Sequence, residues 1–244
     1  MSEGADGGEP GADSGVGYAG IAARWRAITA RVAAACERAG RSPADVTIVA
    51  VSKTHPAEAV RAAAAAGARD FGENYAQELA GKLDACAELA GARWHFIGRL
   101  QRNKAKLVAG KVALVHAVDS AELAAELGRR AGGAVQPLLL AVNVAGEATK
   151  GGVAPAAAPA VAAAIAALPG VRLDGLMTMP PPSDDPEASR PSFLALRALR
   201  DQLQQELGAP LPALSMGMSG DYEVAIACGA THVRIGTAIF GARD

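Results

Sequence analysis

The sequence is poor in aromatic residues and in cysteine, and each shortage narrows the possible classes of protein. Phe, Trp and Tyr make up 4% of the 244 residues, while half of the residues are hydrophobic. Alanine and valine must therefore fill much of a large core. The three cysteines, Cys36, Cys86 and Cys228, are odd in number and widely spaced. This spacing argues against a disulfide framework or a zinc site and for small buried thiols in a reducing compartment.

The net charge is close to zero, and long apolar runs are scarce. The chain has 24 basic and 25 acidic residues, a formal net charge of −1. Without a basic face we expect neither nucleic-acid binding nor membrane attachment, and the apolar runs are too short or too polar to span a bilayer. Residues 1–16 lack the basic start and apolar centre of a signal peptide. We therefore expect a disordered tail at 1–16, a folded domain at 17–244 and a cytoplasmic protein.

Strand-like and helix-like stretches alternate along that domain. Apolar residues recur every three or four positions over 18–39, which predicts an amphipathic helix, and Gly40 ends it. Strands are then predicted at 47–53, 70–74, 94–98, 114–118, 138–144, 173–179, 213–218 and 233–235. Further helices are predicted at 60–66, 77–90, 103–109, 121–131, 155–168, 191–207 and 222–228.

Eight strand–helix repeats predict an α/β fold, namely a single-domain (β/α)8 TIM barrel. The 18–39 helix is then an extra N-terminal element, which we place at the bottom of the barrel. The alternative is an open doubly wound sheet, which usually carries a glycine-rich turn after its first strand. Residues 52–56 are Ser-Lys-Thr-His-Pro and contain no glycine, so the barrel is favoured.

Lys53 stands where the first predicted strand ends, and α/β folds bind their ligands at that end of their strands. Desolvation disfavours the ammonium form of a lysine, and a free amine attacks carbonyls to form a Schiff base. A solvated lysine at a strand end is the alternative. Lys150, in a glycine-flanked loop above the same barrel mouth, is a second candidate. A solvated loop lysine stays protonated, however, and is a poor nucleophile.

A second signal follows the seventh and eighth strands, where barrels often bind phosphate. Ser219 offers a hydroxyl beside the free N–H groups at the start of the 222–228 helix. Gly236 lets a backbone N–H approach an anion, and Thr237 adds a hydroxyl. The alternative is that Ser219 and Thr237 only cap helices. A phosphate clamp across the barrel mouth from a Schiff-base lysine is the geometry of bound pyridoxal 5′-phosphate (PLP).

Six motifs of the chain resemble those of one known family. They are VSKT at 51–54, FGENY at 71–75, WHFIG at 94–98 with LQRNK at 100–104, LMTM at 176–179, SMGMS at 215–219 and VRIG at 233–236. From about Tyr18 onward the chain resembles the pyridoxal phosphate homeostasis protein family, single-domain relatives of the alanine racemase barrel. The resemblance implies a (β/α)8 barrel that holds PLP as an internal aldimine. It assigns these residues to the cofactor: Lys53 to the aldimine, Asn74 to the same site, Ser219, Gly236 and Thr237 to the phosphate, and Arg234 to the pyridine nitrogen.

The identity of the residue facing the pyridine nitrogen bears on catalysis. An arginine can only donate, so Arg234 should leave that nitrogen unprotonated and the ring a weak electron sink. Racemisation would also need a second acid–base group opposite the lysine. In alanine racemases this group is a tyrosine placed with the help of a second domain, and none of Tyr18, Tyr75 and Tyr222 is an obvious candidate. With the chain ending after the eighth repeat, we predict vitamin B6 homeostasis without robust catalysis, with no catalytic residue and no metal.

Two other functions remain open. A PLP-dependent amino-acid racemase would turn over L- and D-amino acids, which a homeostasis protein would not. A phosphate-sugar barrel enzyme would need paired carboxylates or metal ligands. His55, His95, His116 and His232 are scattered in the sequence and are more typical of core or surface positions than of ligands. PLP-requiring apoenzymes are candidate partners, and we expect a monomer because no wall of the site is evidently missing.

Overall fold

A computed structural model of the chain describes residues 18–147 and 151–242. Eight parallel strands close into a barrel, each pairing with the next in sequence and the eighth with the first. This arrangement confirms the predicted TIM barrel. The strands are β1 (Thr47–Val51), β2 (Asp70–Glu73), β3 (Arg93–Phe96), β4 (Leu114–Val118), β5 (Gln136–Ala141), β6 (Val171–Met177), β7 (Ala213–Met218) and β8 (His232–Ile235).

Helices surround the barrel, and most connections between strands contain one. The α-helices are α1 (Ala19–Arg38), α2 (Ala57–Ala65), α3 (Ala76–Ala85), α4 (Ala121–Arg130), α5 (Ala158–Ala166), α6 (Arg190–Leu207), α7 (Tyr222–Ala227) and α8 (Thr237–Phe240). Four 3₁₀ helices lie at Pro43–Asp45, Arg102–Leu107, Pro155–Ala157 and Pro186–Ser189. The predicted tail at 1–16 and Lys150 lie outside the described residues.

Two predicted helices differ from the structure in kind. The segment predicted as a helix at 103–109 is the 3₁₀ helix Arg102–Leu107, which alone connects β3 to β4. The segment predicted at 155–168 begins as the 3₁₀ helix Pro155–Ala157 and becomes α5 only at Ala158. A proline lies at the start of the 3₁₀ helix Pro155–Ala157, and another lies in the first turn of α5. Proline fixes φ and lacks an N–H donor, which favours a 3₁₀ turn before the α-helix begins.

Helix α1 does not close the bottom of the barrel, which corrects the predicted placement. It packs against α2, α7 and α8, and Nε of Arg24 donates to the carbonyl oxygen of Ile239 at 2.7 Å. Helix α8, which the sequence did not predict, has only four residues and is too short to cover the seam between β8 and β1. The apolar face of α1 joins the main core beside α8, through Ile21, Trp25, Ile28, Val32, Ala35 and Cys36.

The interior of the barrel is unusually polar. Side chains alternate between the outside and the inside along each strand. On β4, Val115 belongs to the large cluster between barrel and helices, and Leu114 to a small cluster inside the barrel. Barrel interiors are usually filled by branched aliphatic residues, but this one also holds a set of buried polar side chains: Asp70, His95, His116, Ser215 and Arg234.

The cysteines are free and buried, as the sequence predicted. Within residues 18–147 and 151–242, no helix combines the length and the apolar character that crossing a bilayer requires.

Candidate functional site

A cavity of about 510 Å³ opens where the strands end. All of the residues predicted to bind the cofactor line it: Lys53, Asn74, Ser219, Arg234, Gly236 and Thr237. They follow or end four different strands, β1, β2, β7 and β8, at the end of the barrel where such folds place their active sites. The structure therefore brings together residues that lie far apart in the sequence.

Lys53 lies two residues beyond the end of β1, not within the strand, and is half-buried. Hydrogen bonds fix the backbone on both sides of it. Ser52 N donates to the carbonyl oxygen of Gly72 at 3.1 Å, and Thr54 N donates to Oε1 of Glu78 at 2.6 Å. Thr54 has a φ of 66°, the one positive φ at a non-glycine residue in the described part of the chain. A β-branched residue is strained there, so surrounding contacts must hold the turn that carries Lys53.

Those contacts come from an ion cluster that the sequence did not predict. Nζ of Lys82, on α3, donates to the carbonyl oxygen of Ser52 at 2.6 Å, to Oε1 of Glu73 at 2.6 Å and to Oε1 of Glu78 at 2.7 Å. The side chains of Lys82 and Glu73 are 7% and 0% exposed. Burial raises the pKa of Glu73, while Lys82 and the Ser52 hydroxyl favour its ionised form. The only sequence signal was the spacing of Glu78 and Lys82 by four, which usually marks an exposed pair on a helix.

Ser219 and Thr237 do not cap helices, so the alternative raised from the sequence is wrong. The N-cap residues of α7 and α8 are Asp221 and Gly236, and neither of these two helices has a side-chain cap. Ser219 and Thr237 line the cavity instead. A Cβ atom on Gly236 would lie 3.3 Å from the carbonyl oxygen of Val51, so only glycine leaves the backbone fully accessible without crowding β1.

Arg234 lines the same cavity and is only 5% exposed. Its Nη1 donates to Oγ of Ser215 at 2.6 Å, and its Nη2 donates to the carbonyl oxygen of Thr178 at 3.0 Å. Burial lowers the pKa of Arg234 to about 10, and Asp221 acts in the opposite direction. The guanidinium is therefore a cation at neutral pH, and it can donate hydrogen bonds but not accept them.

The remaining lining is mostly apolar, with three polar side chains. Arg99, Asp119 and Asn143 supply the polar groups, and Asp119 adds a carboxylate. None of the three tyrosines lies among the lining residues of the described chain. A wall of this kind suits a flat ring with a few fixed polar contacts. The apolar lining residues are Val51, Ile97, Ala117, Ala141, Val142, Met177, Met179 and Met218.

Three histidines that are scattered in the sequence converge inside the barrel. Ring centroids are 5.2 Å apart for His95 and His116, 6.1 Å for His95 and His232, and 5.7 Å for His116 and His232. Burial lowers the pKa of His116 well below its usual value and that of His232 to about 4. His95 and His116 are buried in the core and His232 is half-buried, and the three form one cluster that the sequence did not predict. No group of side chains suited to a metal ion occurs among the residues that the structure describes.

Comparisons with known proteins agree with this geometry. The family model of the alanine racemase N-terminal domain matches residues 24–244. A pyridoxal phosphate homeostasis protein of Aquifex aeolicus is 48% identical over 222 residues, which cover 90% of this chain and 97% of that protein. PipY of Synechococcus elongatus PCC7942, solved with PLP bound, is 37% identical with a TM-score of 0.81, over 91% of this chain and 100% of its own. An alanine racemase from Corynebacterium glutamicum, 19% identical with a TM-score of 0.68 over 89% of this chain and 62% of its own, shares the fold alone.

Proposed function

The chain belongs to the pyridoxal phosphate homeostasis proteins of the alanine racemase N-terminal domain family, and from that premise we propose that it binds PLP in the Lys53 cavity to control the intracellular level of this cofactor. The observation that carries the proposal is the convergence of Lys53, Arg234, Ser219 and Thr237 on one cavity. PLP has an aldehyde, a pyridine ring and a phosphate. Each of these groups has a matching partner among those four side chains.

The amine of Lys53 is proposed to hold the aldehyde covalently. Nζ adds to the aldehyde carbon, a C=N bond forms and water leaves, so the linkage requires no oxidant or reductant. The half-buried position of Lys53, beside Val51 in the cavity wall, supports this role. Lys150 remains the other candidate and lies outside the described residues.

The phosphate is proposed to lie between the loops that follow β7 and β8. The hydroxyls of Ser219 and Thr237 and the accessible backbone at Gly220 and Gly236 line that side of the cavity. Hydroxyl and N–H donors are the groups that phosphate oxygens accept from. Asn74 lines the cavity from the β2 side and completes the polar contacts that we assign to the cofactor.

Arg234 is proposed to donate to the pyridine nitrogen and so to restrict what PLP can do here. When bound, PLP supplies an electron sink for carbanions, and the sink is strong only when its ring nitrogen is protonated. A guanidinium that remains charged at neutral pH cannot protonate that nitrogen as an acid would. Together with the absence of a tyrosine from the cavity lining within residues 18–147 and 151–242, this supports a binding protein without robust catalysis.

We place the protein in the cytoplasm, as a monomer that exchanges PLP with apoenzymes that need it. Free, buried thiols at Cys36, Cys86 and Cys228 suit a reducing compartment.

The test is a visible absorption spectrum of PLP-loaded protein before and after borohydride reduction, with mapping of the labelled peptide. Wild type and Lys150→Ala should show the band of a PLP Schiff base and carry the label on Lys53, and Lys53→Ala should lose the band. The loaded protein should leave L-alanine and D-alanine unchanged, as chiral chromatography can measure. Labelling mainly on Lys150 would refute the assignment of the lysine, and racemisation would establish the racemase instead.

A further inference from the structure

Arg234 is a buried cation without a carboxylate in direct contact. Its two hydrogen bonds go to neutral oxygens, Oγ of Ser215 and the carbonyl of Thr178. No ion pair joins it to an acidic side chain within residues 18–147 and 151–242. A buried charge is costly; Asp221 is the carboxylate that stabilises this cation from a distance, and the position of the guanidinium depends on its neutral hydrogen-bond acceptors.

A continuous chain of hydrogen bonds also leads from Arg234 to the carboxylate of Asp70. Oγ of Ser215 lies 2.8 Å from Nδ1 of His116, and Nε2 of His116 lies 3.0 Å from Nδ1 of His95. Nε2 of His95 lies 2.9 Å from Oδ1 of Asp70. All five side chains are buried, with exposures from 0% to 7%. The chain runs through the interior of the barrel, from the cofactor cavity to the first residue of β2.

When both histidine rings are neutral, the two ends fix the direction of every hydrogen bond in this chain. Arg234 can only donate and an ionised Asp70 can only accept. Ser215 therefore accepts from Arg234 and donates to His116. Each histidine must then accept at Nδ1 and donate from Nε2, His116 to His95 and His95 to Asp70. The pKa of Asp70, lowered to about 2 by His95 and Arg93 against the effect of burial, and the lowered pKa of His116 agree with this assignment.

We propose that Ser215, His116, His95 and Asp70 are positioning residues of the cofactor site, which hold the Arg234 guanidinium in place through one oriented chain of hydrogen bonds. The proposal rests on the function proposed above, since the ring nitrogen of PLP is the group that Arg234 would meet. Each side chain in the chain of hydrogen bonds orients the next one, and of these five side chains only Arg234 lines the cofactor cavity.

The far end of the chain lies in a second cavity. Asp70 and His95 line a space of about 470 Å³ at the amino-terminal ends of the strands. Arg172 and Asp174 line it as well and form their own ion pair there, through Nε and Oδ1 at 2.5 Å. Asp174 thus offers a control for Asp70. Both aspartates pair with an arginine at the same mouth of the barrel, but only Asp70 is hydrogen-bonded to the histidines.

The first measurement is the ¹⁵N NMR of the histidine rings in protein without PLP at pH 7.5. The expected result is two neutral rings, His95 and His116, each protonated at Nε2 and unprotonated at Nδ1. A ring protonated at Nδ1 in either residue would overturn the proposal. Because this experiment uses no cofactor, it decides the direction of the chain even if the protein failed to bind PLP, which would refute only the proposed function.

The second measurement reads the ring nitrogen of bound, ¹⁵N-labelled PLP in three variants. Ser215→Ala removes the acceptor of Arg234 and should shift the pyridine ¹⁵N resonance most, with about tenfold weaker PLP retention. Asp70→Asn keeps an acceptor for His95 but removes the charge, and it should shift the resonance less. Asp174→Asn should leave it at the wild-type position. An unchanged resonance in folded Ser215→Ala and Asp70→Asn would show a purely structural polar core and overturn the proposal. If either variant fails to fold, the ring tautomers of His95 and His116, measured in the wild-type protein, still test the proposal.

Discussion

Nζ of Lys82 donates a hydrogen bond to the carbonyl oxygen of Ser52 at 2.6 Å, one residue before Lys53. The same ammonium bonds Glu73 and Glu78, and Glu78 in turn accepts from Thr54 N, one residue after Lys53. A single buried cation is thereby tied to both sides of the proposed Schiff-base lysine. This arrangement explains how a strained Thr54 persists, because strain of this kind survives only where surrounding contacts over-determine it.

Lys82→Met should therefore destabilise the protein strongly. It leaves the carboxylate of Glu73, which is 0% exposed, without its cation, and removal of one partner of a buried pair costs about 3–5 kcal/mol. Urea denaturation measures the free energy of unfolding. Adding Glu73→Gln to Lys82→Met should recover part of the loss, because the uncompensated charge is gone. Lys106→Met, at an exposed lysine, is the matched control and should have little effect. Equal losses in the two single variants would contradict a buried ion cluster.

The phosphate clamp makes a separate prediction about affinity. Ser219→Ala and Thr237→Val should each weaken PLP retention without unfolding the barrel, since both side chains line the cavity and neither caps a helix. A hydrogen bond to a charged group is worth about 1.5–3 kcal/mol, or roughly one to two decades in affinity. Equilibrium dialysis measures the change. Pyridoxal, which lacks the phosphate, should bind weakly to the wild type and lose nothing further in the two variants. Equal affinities of the wild type for PLP and pyridoxal would rule out the clamp.

The buried histidines predict a loss of stability in mild acid. His116 and His232 are held neutral by burial, with the pKa of His116 well below its usual value and that of His232 at about 4. The unfolded chain binds protons on both residues below about pH 6.5, while the folded protein does not. The free energy of unfolding should therefore fall as the pH drops from about 6.5 toward 4, by up to about 1.4 kcal/mol per pH unit for each histidine.

Urea denaturation at pH 7.5, 6 and 5 checks this slope. His232→Asn removes one of the two groups and should reduce the slope by about half, whereas the stability difference from wild type should stay constant above pH 7. His232 lies near His95, His116, Asp70, Arg93 and Arg234, so its replacement takes away one titrating group and leaves those side chains in place. A slope that does not change in His232→Asn would contradict the assignment.

The strands, and the grouping of the candidate site residues at one barrel mouth, were predictable from the sequence because their signals are local. The strand at Leu114–Val118 and the one at Ala213–Met218 have the predicted bounds, since a run of apolar residues buried on both faces marks a parallel strand. Lys53, Ser219 and Thr237 were found because polar residues after such strands meet at one barrel mouth. The four-residue helix α8 was missed because it is too short to show periodicity.

The chain of hydrogen-bonded side chains from Arg234 to Asp70, inside the barrel, has no such local signal in the sequence. His95 and His116 are 21 residues apart, and Ser215 follows His116 by 99 residues. Each is a single polar residue within an apolar strand, and nothing local says whether it faces the helices or the interior. That depends on the register of strands around the closed barrel, which no single stretch of sequence encodes.

The last prediction concerns Arg234 and decides between a PLP holder and an enzyme. Arg234→Glu places an acid beside the proposed position of the ring nitrogen, where it should protonate that nitrogen and strengthen the electron sink. Exchange of the α-proton of alanine in heavy water, followed by NMR, should then be faster than in the wild type. Arg234→Gln removes the cation without adding an acid and should remain slow. Asp119, the carboxylate in the cavity lining, is the residue that a hidden acid–base function would use. Rapid exchange in the wild type that is accompanied by racemisation, and that Asp119→Asn abolishes, would therefore contradict a homeostasis role and indicate a racemase.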